Sequence, residues 1–388
     1  MLTLSDIAIV GSYETQLGVV PDRGPMALGV EATLGAIADA GLKPAAVDGL
    51  ITCNSLVAPV MYHAEATAEY AGMAPAHCLS VGTGGGTTFT ALRYAAAAIQ
   101  TGLAHTVVVS MADSMRSFMT RERAMVVQSS SGHALYEQPY GPTVPAYYAL
   151  IARAHMDAFG TTESQFAEAM VSSRAWAALN PSAQYRERVS VADVLASKPI
   201  ADPLKLLDCS IVSDGGAAVV LTSLDRARDL PHAPVVLRGY GEGHHYEHIS
   251  QAPSLIASAA ADSGRAALAQ AGLHARDIGL AQLYDCFSPA LLIQLEDLGF
   301  CAKGEGGDYL ASGAIRPGGA LAVNTHGGML SHCHPGNPGA MFGVTEAIRQ
   351  YRGGAGERQL HDLEHTLLHA QGGIMSSHTT LILGREAN

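Results

Sequence analysis

Residues 324–339 read Asn-Thr-His-Gly-Gly-Met-Leu-Ser-His-Cys-His-Pro-Gly-Asn-Pro-Gly, and this stretch decides how the rest of the chain is interpreted. It holds four glycines, three histidines and two prolines. That composition excludes a regular helix or strand, because glycine admits left-handed backbone and proline removes a hydrogen-bond donor. A strand-like apolar run precedes it at 320–323, and sequence with helical character follows as far as Tyr351. Such a loop between a strand and a helix N-terminus directs N–H groups and imidazoles at one point, where an enzyme can receive developing negative charge. A structural turn with unrelated histidines is the alternative.

The composition predicts a compact, soluble, cytoplasmic protein. The 388 residues suffice for two domains or for one large α/β domain with an insertion. Hydrophobic residues make up 48% and charged residues only 15% of the chain, which is typical of a globular protein. The net charge of −12 argues against nucleic acid or an anionic membrane as a partner. Six scattered cysteines indicate a reducing compartment, and neither a signal peptide nor an apolar run long enough for membrane insertion is visible.

Strand-like and helical patterns alternate in the first half of the chain. Apolar runs at 7–10, 49–52 and 106–110 predict strands, and helical periodicity separates them. This alternation predicts a sheet with helices on both faces. The helical stretch 90–100 consists largely of small residues, so we expect it to be buried between close neighbours.

A second half, beginning near Ala233, repeats the order of the first. Each half is expected to close with an apolar strand after a glycine pair, Gly215-Gly216 in a tight turn at 213–216, and Gly372-Gly373. The region between the halves has fewer strand signals and more charge, which favours an inserted loop domain over one face of the sheet. The predicted domains are an N-terminal half at 1–110 plus 207–230, a loop domain at 111–206 and a C-terminal half at 231–388.

Two segments carry side chains suited to catalysis. Tyr284-Asp-Cys-Phe287 follows a predicted strand and precedes a helix, where α/β folds present catalytic groups, although core filler would have the same pattern. His334 is the best candidate for a base, since imidazole titrates near neutrality. The adjacent residues His332-Cys333-His334 do not indicate a metal site, because neighbours in sequence rarely converge on one ion. Gly84-Gly-Gly86 lacks the lysine of a phosphate-binding loop and is interpreted as a turn that offers backbone amides at a helix start.

Several motifs, spread over essentially the whole chain, together resemble those of the thiolase superfamily. The resemblance is to the sterol-carrier-type thiolases and the related lipid-transfer and steroid side-chain aldolase group. The motifs are Tyr284-Asp-Cys-Phe287 with Leu298-Gly-Phe-Cys301, Asn324-Thr-His-Gly-Gly328, His334-Pro-Gly336, Ser213-Asp-Gly-Gly-Ala217 and Gly372-Gly-Ile-Met-Ser-Ser-His378. The resemblance implies an α/β thiolase fold, in which two similar βαβαβ-type halves form a layered α-β-α-β-α core with an inserted loop domain.

The resemblance also implies where this chain departs from thiolases. The nucleophilic cysteine of the family, at the start of the buried small-residue helix, falls on Gly85. The family's Gly-His-Pro histidine falls on His334, and Tyr284 replaces the residue that holds the catalytic water. The second family cysteine falls on His369 or Ala370. The related aldolases share the loss of cysteine and the tyrosine, but they carry tyrosine where this chain has His334.

These departures imply carbon–carbon bond cleavage without an acyl-enzyme, because glycine cannot carry an acyl group. We expect retro-aldol cleavage of a β-hydroxyacyl-CoA, in which Tyr284 accepts the hydroxyl proton while His334 and backbone amides stabilise the enolate. A nearby positive group would be needed to lower the pKa of Tyr284. No covalently bound cofactor or metal is expected, and coenzyme A enters as part of the substrate. The candidate catalytic residues are Tyr284, His334, Asn324 and His326, and the candidate cofactor-binding residues are Gly85, Gly86, Gly328, Gly372 and Gly373.

Two other functions fit the same residues. A thiolase-type acyl-CoA acyltransferase would use Cys78, Cys286 or Cys333 as nucleophile, and a non-catalytic subunit would only bind acyl-CoA or lipid. The resemblance further implies a homodimer and a small zinc-ribbon/OB-fold protein that binds acyl-CoA. Because the chain has no zinc-ribbon cysteine pattern, such a partner would be a separate polypeptide.

Overall fold

The computed structural model describes residues 3–386. The strands are β1 (Ile7–Glu14), β2 (Gly49–Thr52), β3 (His77–Ser80), β4 (Thr106–Ser114), β5 (Pro199–Ala201), β6 (Leu204–Lys205), β7 (Asp214–Ser223), β8 (Val235–His244), β9 (Leu280–Leu283), β10 (Ala322–Val323), β11 (His365–Gly372) and β12 (Ser377–Arg385). The helices are α1 (Pro25–Asp39), α2 (His63–Tyr70), α3 (Thr87–Thr101), α4 (Met115–Phe118), α5 (Arg121–Ser129), α6 (Val144–Phe159), α7 (Glu163–Ala177), α8 (Val191–Ala196), α9 (Leu224–Ala227), α10 (Ala260–Ala271), α11 (Ser288–Asp297), α12 (Gly306–Ala311), α13 (Gly328–Ser331) and α14 (Met341–Tyr351).

The two halves of the chain build sheets of the same topology. The first half has the strand order β3-β2-β4-β7-β1 and the second half has the order β10-β9-β11-β12-β8. In both, the first three strands run parallel and the last two join antiparallel. A short antiparallel contact of Ala8 with Val236 and Ile9 with Val235 links β1 to β8, so the ten strands form one continuous sheet.

Helices cover both sheets and also separate them. Helix α3 packs on β4 and β7 of one half and on β12 of the other, and α14 contacts β1, β7, β9 and β11. Helix α1 covers the outer face of the first half, while α10 covers β8 and β12 from the opposite side. The resulting order is helix, sheet, helix, sheet, helix. The predicted α/β thiolase fold and its layered core are confirmed.

Small side chains allow α3 to lie between the sheets. Ala91, Ala95 and Ala96 are fully buried, as the small-residue pattern predicted. Helix α3 begins after Gly86 and ends at Gly102, whose positive φ of 74° is the left-handed cap that glycine favours. The turn before this helix meets the second half of the chain, because Gly84 lies against Gly372 and Gly373.

The predicted tight turn at 213–216 is wrong. Gly215 and Gly216 lie within β7, where they pair with Asp113 and Ala112 of β4. A Cβ on Gly216 would lie only 2.7 Å from the Cβ of Ala112, so the glycine is needed for close strand packing rather than for a turn. Gly372 and Gly373 do form the expected turn, between β11 and β12.

The chain between β4 and β7 forms an insertion over the carboxyl ends of the strands. It holds five helices, α4 to α8, and the small hairpin of β5 and β6. Helix α7 packs on α11, α12 and α13 of the second half, and α6 also contacts α11. The insertion thus reaches across to the second half, although the bounds assigned to the three domains stay predictions.

Candidate active site

A cleft of about 560 Å³ opens where the two halves meet the insertion. Its walls carry Tyr284 and His334 from the second half, Gly85 from the start of α3, and Tyr148 from α6. The remaining lining is largely apolar. It consists of Leu56, Gly84, Met115, Val127, Gln128, Ser130, Ser131, Val144, Pro145, Cys209, Ser210, Ile211, Val212, Cys286, Phe287, Gly336, Asn337, Gln371, Gly373 and Ile374.

Tyr284 and His334 are hydrogen-bonded to each other in this cleft. The Tyr284 Oη lies 3.1 Å from His334 Nε2, and the two rings meet edge to face with centroids 5.8 Å apart. The residues are fifty positions apart in sequence. The fold brings them together because β9 and β10 are parallel neighbours, so the loops that follow the two strands lie at the same edge of the sheet. The structure therefore brings the two principal catalytic candidates together.

Amide and hydroxyl groups clamp the backbone on both sides of this pair. The side chain of Gln294 accepts from Tyr284 N at 3.1 Å and donates to Tyr284 O at 2.8 Å. Ser213 holds His334 in the same way, because its Oγ accepts from His334 N and its own N–H donates to His334 O. These contacts fix where the phenol and the imidazole meet.

Burial keeps both groups of the pair neutral. It lowers the pKa of His334 to about 4, with a smaller opposing effect of a hydrogen bond to the Ile211 backbone. Burial also raises the pKa of Tyr284 well above its ordinary value. The direction of the Tyr284–His334 bond depends on which imidazole nitrogen carries the hydrogen. The hydrogen bond of His334 to the Ile211 backbone favours the tautomer in which Nε2 is unprotonated, and in that tautomer the Tyr284 O–H donates to His334 Nε2. The expected positive group is not found, since neither Lys nor Arg lines the cleft within residues 3–386.

The Tyr284 phenol occupies the space that a side chain at position 85 would need. A Cβ built on Gly85 would lie 2.4 Å from Tyr284 Cζ and 2.5 Å from its Oη, far inside van der Waals contact. It would also lie 2.4 Å from the backbone oxygen of Gln371. Position 85 can therefore hold only glycine while Tyr284 keeps this place.

Of the predicted glycines, Gly85 and Gly373 line the cleft, whereas their neighbours Gly86 and Gly372 do not. A Cβ on Gly84 would lie 3.0 Å from Cα of Gly372 and from N of Gly373, so the two glycine turns are in contact. Gly86 is the N-cap of α3. Gly328 lies elsewhere, against the carboxylate of Asp285, where a Cβ would approach to 2.0 Å and where its φ of 62° requires glycine.

Asn324 and His326, both proposed as catalytic from the sequence, do not line the cleft. The Asn324 side chain accepts from Leu283 N at 2.7 Å and donates to Leu283 O at 2.9 Å, so it holds the residue before Tyr284. His326 is buried beside His332, with ring centroids 5.0 Å apart, and burial lowers its pKa well below the ordinary value. Asn324 therefore supports the backbone next to Tyr284, whereas the His326 side chain packs against His332 away from the cleft.

Asp285 was missed as a site residue and connects the same two loops. Its Oδ1 accepts from Met329 N at 2.7 Å, at the start of α13. Burial raises the pKa of this carboxyl to about 6, although backbone N–H donors of α13 oppose the rise. The carboxylate thus ties the loop that carries His334 to the strand end that carries Tyr284.

Within residues 3–386, no group of three or more His, Cys, Asp or Glu side chains is arranged to hold a metal ion. In the same residues, no helix combines the length and the apolar character that a membrane crossing requires. All six cysteines are free thiols.

Comparison with known families agrees with this architecture. Residues 7–225 match the family described as "Thiolase, N-terminal domain", and residues 241–385 match "Thiolase C-terminal domain-like". The chain belongs to the thiolase superfamily. The resemblance read from the sequence motifs is therefore confirmed.

Individual thiolase-superfamily members extend the comparison. The chain is 38% identical to the steroid side-chain-cleaving aldolase of Thermomonospora curvata, over 98% of both chains. It is also 38% identical to the 17-hydroxy-3-oxo-4-pregnene-20-carboxyl-CoA lyase of Mycobacterium tuberculosis, over 97% of this chain and 98% of the other. An acetyl-CoA acetyltransferase of Methanothermobacter thermautotrophicus is 32% identical over 98% of this chain and 100% of its own. Among solved structures, the "Ltp2-ChsH2(DUF35) aldolase" superposes with a TM-score of 0.88 at 36% identity, covering 99% of both chains.

The cysteines lie unfavourably for thiolase-type acyl transfer. Cys78 is on β3 and Cys333 is fully buried, and neither lines the cleft. Cys286 and Cys209 do line it, but burial raises the pKa of each thiol to about 12. His334 is paired with a phenol, not with a thiol.

Two further residues that line the cleft were not predicted from the sequence. Tyr148 lies in α6 of the insertion, and Gln371 is the residue before the last one of β11. The sequence carries no signal for either, because their meeting depends on how the insertion folds back over the second half.

Proposed function

We propose that this chain is an acyl-CoA lyase that cleaves a carbon–carbon bond of a β-hydroxyacyl-CoA by a retro-aldol reaction, without a covalent intermediate. The observation that supports this proposal most directly is that the Tyr284 phenol fills the space at Gly85 and is hydrogen-bonded to His334. A proton acceptor pair thus stands where a thiolase would need a nucleophile. The similarity to relatives named as an aldolase and a CoA lyase supports the same reaction.

The neutral Tyr284–His334 pair can serve as the base, as a relay. Tyr284 Oη takes the proton of the substrate β-hydroxyl while it passes its own proton to His334 Nε2. The Cα–Cβ bond then breaks, its electron pair goes to the thioester enolate, and the β-carbon becomes a carbonyl. The imidazolium returns its proton through Tyr284 to Cα, which yields an aldehyde or ketone and a shortened acyl-CoA. This relay removes the need for a phenolate, and general acid–base help of this kind contributes about 10²–10⁴-fold in rate.

The glycine turns supply the surroundings of the enolate. Gly85 and Gly86 stand at the N-terminus of the fifteen-residue helix α3, whose dipole favours developing negative charge. Gly372 and Gly373 pack against this turn. A backbone donor aimed at such an oxygen contributes typically about 3–4 kcal/mol to transition-state stabilisation.

The apolar wall of the cleft suits the acyl part of the substrate. Leu56, Met115, Val127, Val144 and Ile211 face the same space as Tyr284. Burial of such surface favours a large apolar acyl group. Coenzyme A would enter as part of the substrate, with no separately bound cofactor and no metal.

An acyltransferase is the second candidate, because a thiol does line the cleft. Cys286 is close to Tyr284 in sequence and stands on the same wall, and one relative is named as an acetyl-CoA acetyltransferase. Two observations make the lyase the better proposal. The pKa of the Cys286 thiol is raised to about 12, and His334 is hydrogen-bonded to Tyr284 rather than to this thiol.

Partners and location are part of the proposal. The structural neighbour named as an Ltp2-ChsH2(DUF35) aldolase supports a separate partner protein, which we propose to be of the zinc-ribbon/OB-fold type that binds acyl-CoA. We further propose a homodimer in the cytoplasm, with three domains at 1–110 plus 207–230, 111–206 and 231–388. The net charge of −12 supports the absence of nucleic acid from its partners.

The test is a product assay with the purified chain and, separately, with a co-expressed partner of this type. A panel of β-hydroxyacyl-CoA thioesters with steroid, aromatic and branched acyl groups is incubated, and carbonyl product and shortened acyl-CoA are measured together. Tyr284→Phe and His334→Gln should each lower kcat by about 10²-fold or more, because either breaks the relay. Tyr94→Phe, exposed on α3, is the matched control and should behave as wild type.

A panel without carbonyl product would reject the lyase, whereas acyl exchange that Cys286→Ala abolishes would establish the acyltransferase. Acyl-CoA binding without either reaction would establish the non-catalytic subunit.

A further inference from the structure

A second polar group of the cleft is built around Gln371. The Gln371 Oε1 accepts a hydrogen bond from Met375 N at 2.8 Å, within the turn between β11 and β12. This contact fixes the orientation of the amide, so its Nε2 faces Tyr148 and Cys286. It donates to Tyr148 Oη at 2.5 Å and lies 3.1 Å from Cys286 Sγ.

Tyr148 is held rigidly by its ring as well as by its hydroxyl. Its ring stacks on Phe287, with centroids 4.3 Å apart and planes 20° apart. The side chain is only 1% exposed, although it lines the cleft together with Tyr284 and His334. It belongs to α6, so it is the insertion that brings this hydroxyl to the site.

The hydrogen-bond partners of the two tyrosines give their hydroxyls opposite roles, one with a free acceptor and the other with a free donor. Tyr284 donates to His334 Nε2, so its oxygen lone pairs are free to accept a proton from substrate. Tyr148 accepts from Gln371 Nε2, so its own hydrogen is free to be donated. The Tyr148 hydroxyl is also hydrogen-bonded to Cys286 Sγ, a weak acceptor that a charged substrate oxygen would easily replace.

We propose that Tyr148 is a catalytic residue of the lyase, which donates a hydrogen bond to the oxygen of the thioester enolate, and that Gln371 is the residue that positions it. The inference rests on the proposed function, because the enolate is the species formed when the Cα–Cβ bond breaks. It follows that the site is incomplete without the insertion, which supplies the enolate donor while the second half supplies the base.

The physical chemistry of Tyr148 suits a donor and not a base. Burial raises its pKa well above the ordinary value, so the hydroxyl keeps its proton throughout the reaction. A donor of this kind acts only where charge develops, so its loss should lower kcat much more than it changes KM. Because the hydroxyl is fixed by Gln371 before substrate arrives, it needs no reorganisation during the reaction.

Tyr148→Phe tests the proposal, since it removes the hydroxyl and keeps the ring on Phe287. We expect kcat for cleavage to fall about 100-fold with KM nearly unchanged, in line with the loss of one oxyanion donor. Tyr147→Phe is the matched control, since Tyr147 is the neighbouring buried tyrosine of α6 and does not line the cleft; it should retain wild-type kinetics. Gln371→Met should cause a smaller loss, about 10-fold, and the double variant should be no slower than Tyr148→Phe alone.

A second measurement separates this proposal from the lyase assignment. The exchange of α-protons of an acyl-CoA with D₂O, followed by mass spectrometry, requires the enolate but no β-hydroxyl group. Tyr148→Phe should slow this exchange as strongly as it slows cleavage. If wild type exchanges α-protons but cleaves no substrate, the lyase is rejected while the loss of exchange in Tyr148→Phe still supports the donor. Cleavage and exchange by Tyr148→Phe at wild-type rates, a change confined to KM, or the absence of both reactions in wild type would overturn the proposal.

Discussion

The phenol of Tyr284 stands in the space that a side chain at position 85 would occupy, only 2.4 Å from where a Cβ of Gly85 would be. This contact links the two departures from thiolases that the motifs revealed, the missing cysteine and the added tyrosine. The tyrosine at 284 requires glycine at 85, because its phenol and the Gln371 backbone oxygen leave no room for a Cβ there. In the proposed function, the Tyr284–His334 pair stands where a thiolase would need its nucleophile.

Gly85→Ala should disable the site by displacing this phenol. The added methyl group would overlap both Tyr284 and the Gln371 backbone, and overpacking of this kind costs about 1–3 kcal/mol of folding stability. We expect a lower unfolding midpoint together with loss of cleavage activity. Gly82→Ala is the matched control in the same loop, because a Cβ there has no neighbour within 4 Å. Equal behaviour of the two variants in thermal unfolding and in turnover would contradict the close packing.

Cys286→Ser should leave the proposed cleavage reaction largely intact. The thiol is 5% exposed and burial raises its pKa to about 12, so very little thiolate is present near neutral pH. Serine keeps a hydrogen-bonding group of similar size for Gln371. Turnover should stay within about 3-fold of wild type, since no covalent intermediate is involved. Trapping of an acyl group on Cys286 by quenching and mass spectrometry, with loss of turnover in the serine variant, would instead show covalent catalysis.

The alternation of strands and helices could be predicted from the sequence because its periodic signals are local, whereas the layered core was implied by the resemblance to thiolases. The strand at 49–52 and the small-residue helix that became α3 were both recognised from hydrophobic pattern and composition. The glycine pair Gly215-Gly216 misled the prediction, since glycine serves a turn and a close strand contact equally well. Only the partner, Ala112 on β4, distinguishes the two uses, and it lies more than a hundred residues away.

The candidate site was predicted in part. Tyr284 and His334 could be chosen by residue type and position at strand ends, and they do meet. Asn324 has the same kind of position but turns its amide to the backbone of Leu283. The role of Tyr148 could not be predicted, because the direction of its hydroxyl depends on Gln371, over two hundred residues away.

Acid should destabilise the protein through its buried histidines. Burial lowers the pKa of His332 and of His378 to about 4, so both are neutral in the folded protein near pH 5. In the unfolded chain they titrate near 6.5, so unfolding takes up protons between about pH 6.5 and 4 and stability falls as the pH falls through that range. Each histidine should lower the free energy of unfolding by about 2 kcal/mol between pH 8 and pH 5.

Urea unfolding at a series of pH values measures this effect. His332→Gln and His378→Gln should each reduce the slope of unfolding free energy against pH below about 6.5, whatever they do to stability at pH 8. A slope unchanged in both variants would mean that other groups govern the acid sensitivity.

Asn324 should prove to be a support of the site, not a member of it. Its side chain makes two hydrogen bonds to the backbone of Leu283, and its φ of 50° lies in the left-handed region that asparagine and glycine tolerate. Asn324→Ala should lose both bonds and add backbone strain, whereas Asn324→Gly loses the bonds without the strain. We therefore expect the alanine variant to be less stable than the glycine variant by about 1 kcal/mol, with both less stable than wild type because buried backbone groups lose their partners. Since Leu283 precedes Tyr284, both variants should also lower turnover in step with their loss of stability. Full stability of both variants combined with loss of turnover would contradict this and would place the Asn324 amide in contact with substrate.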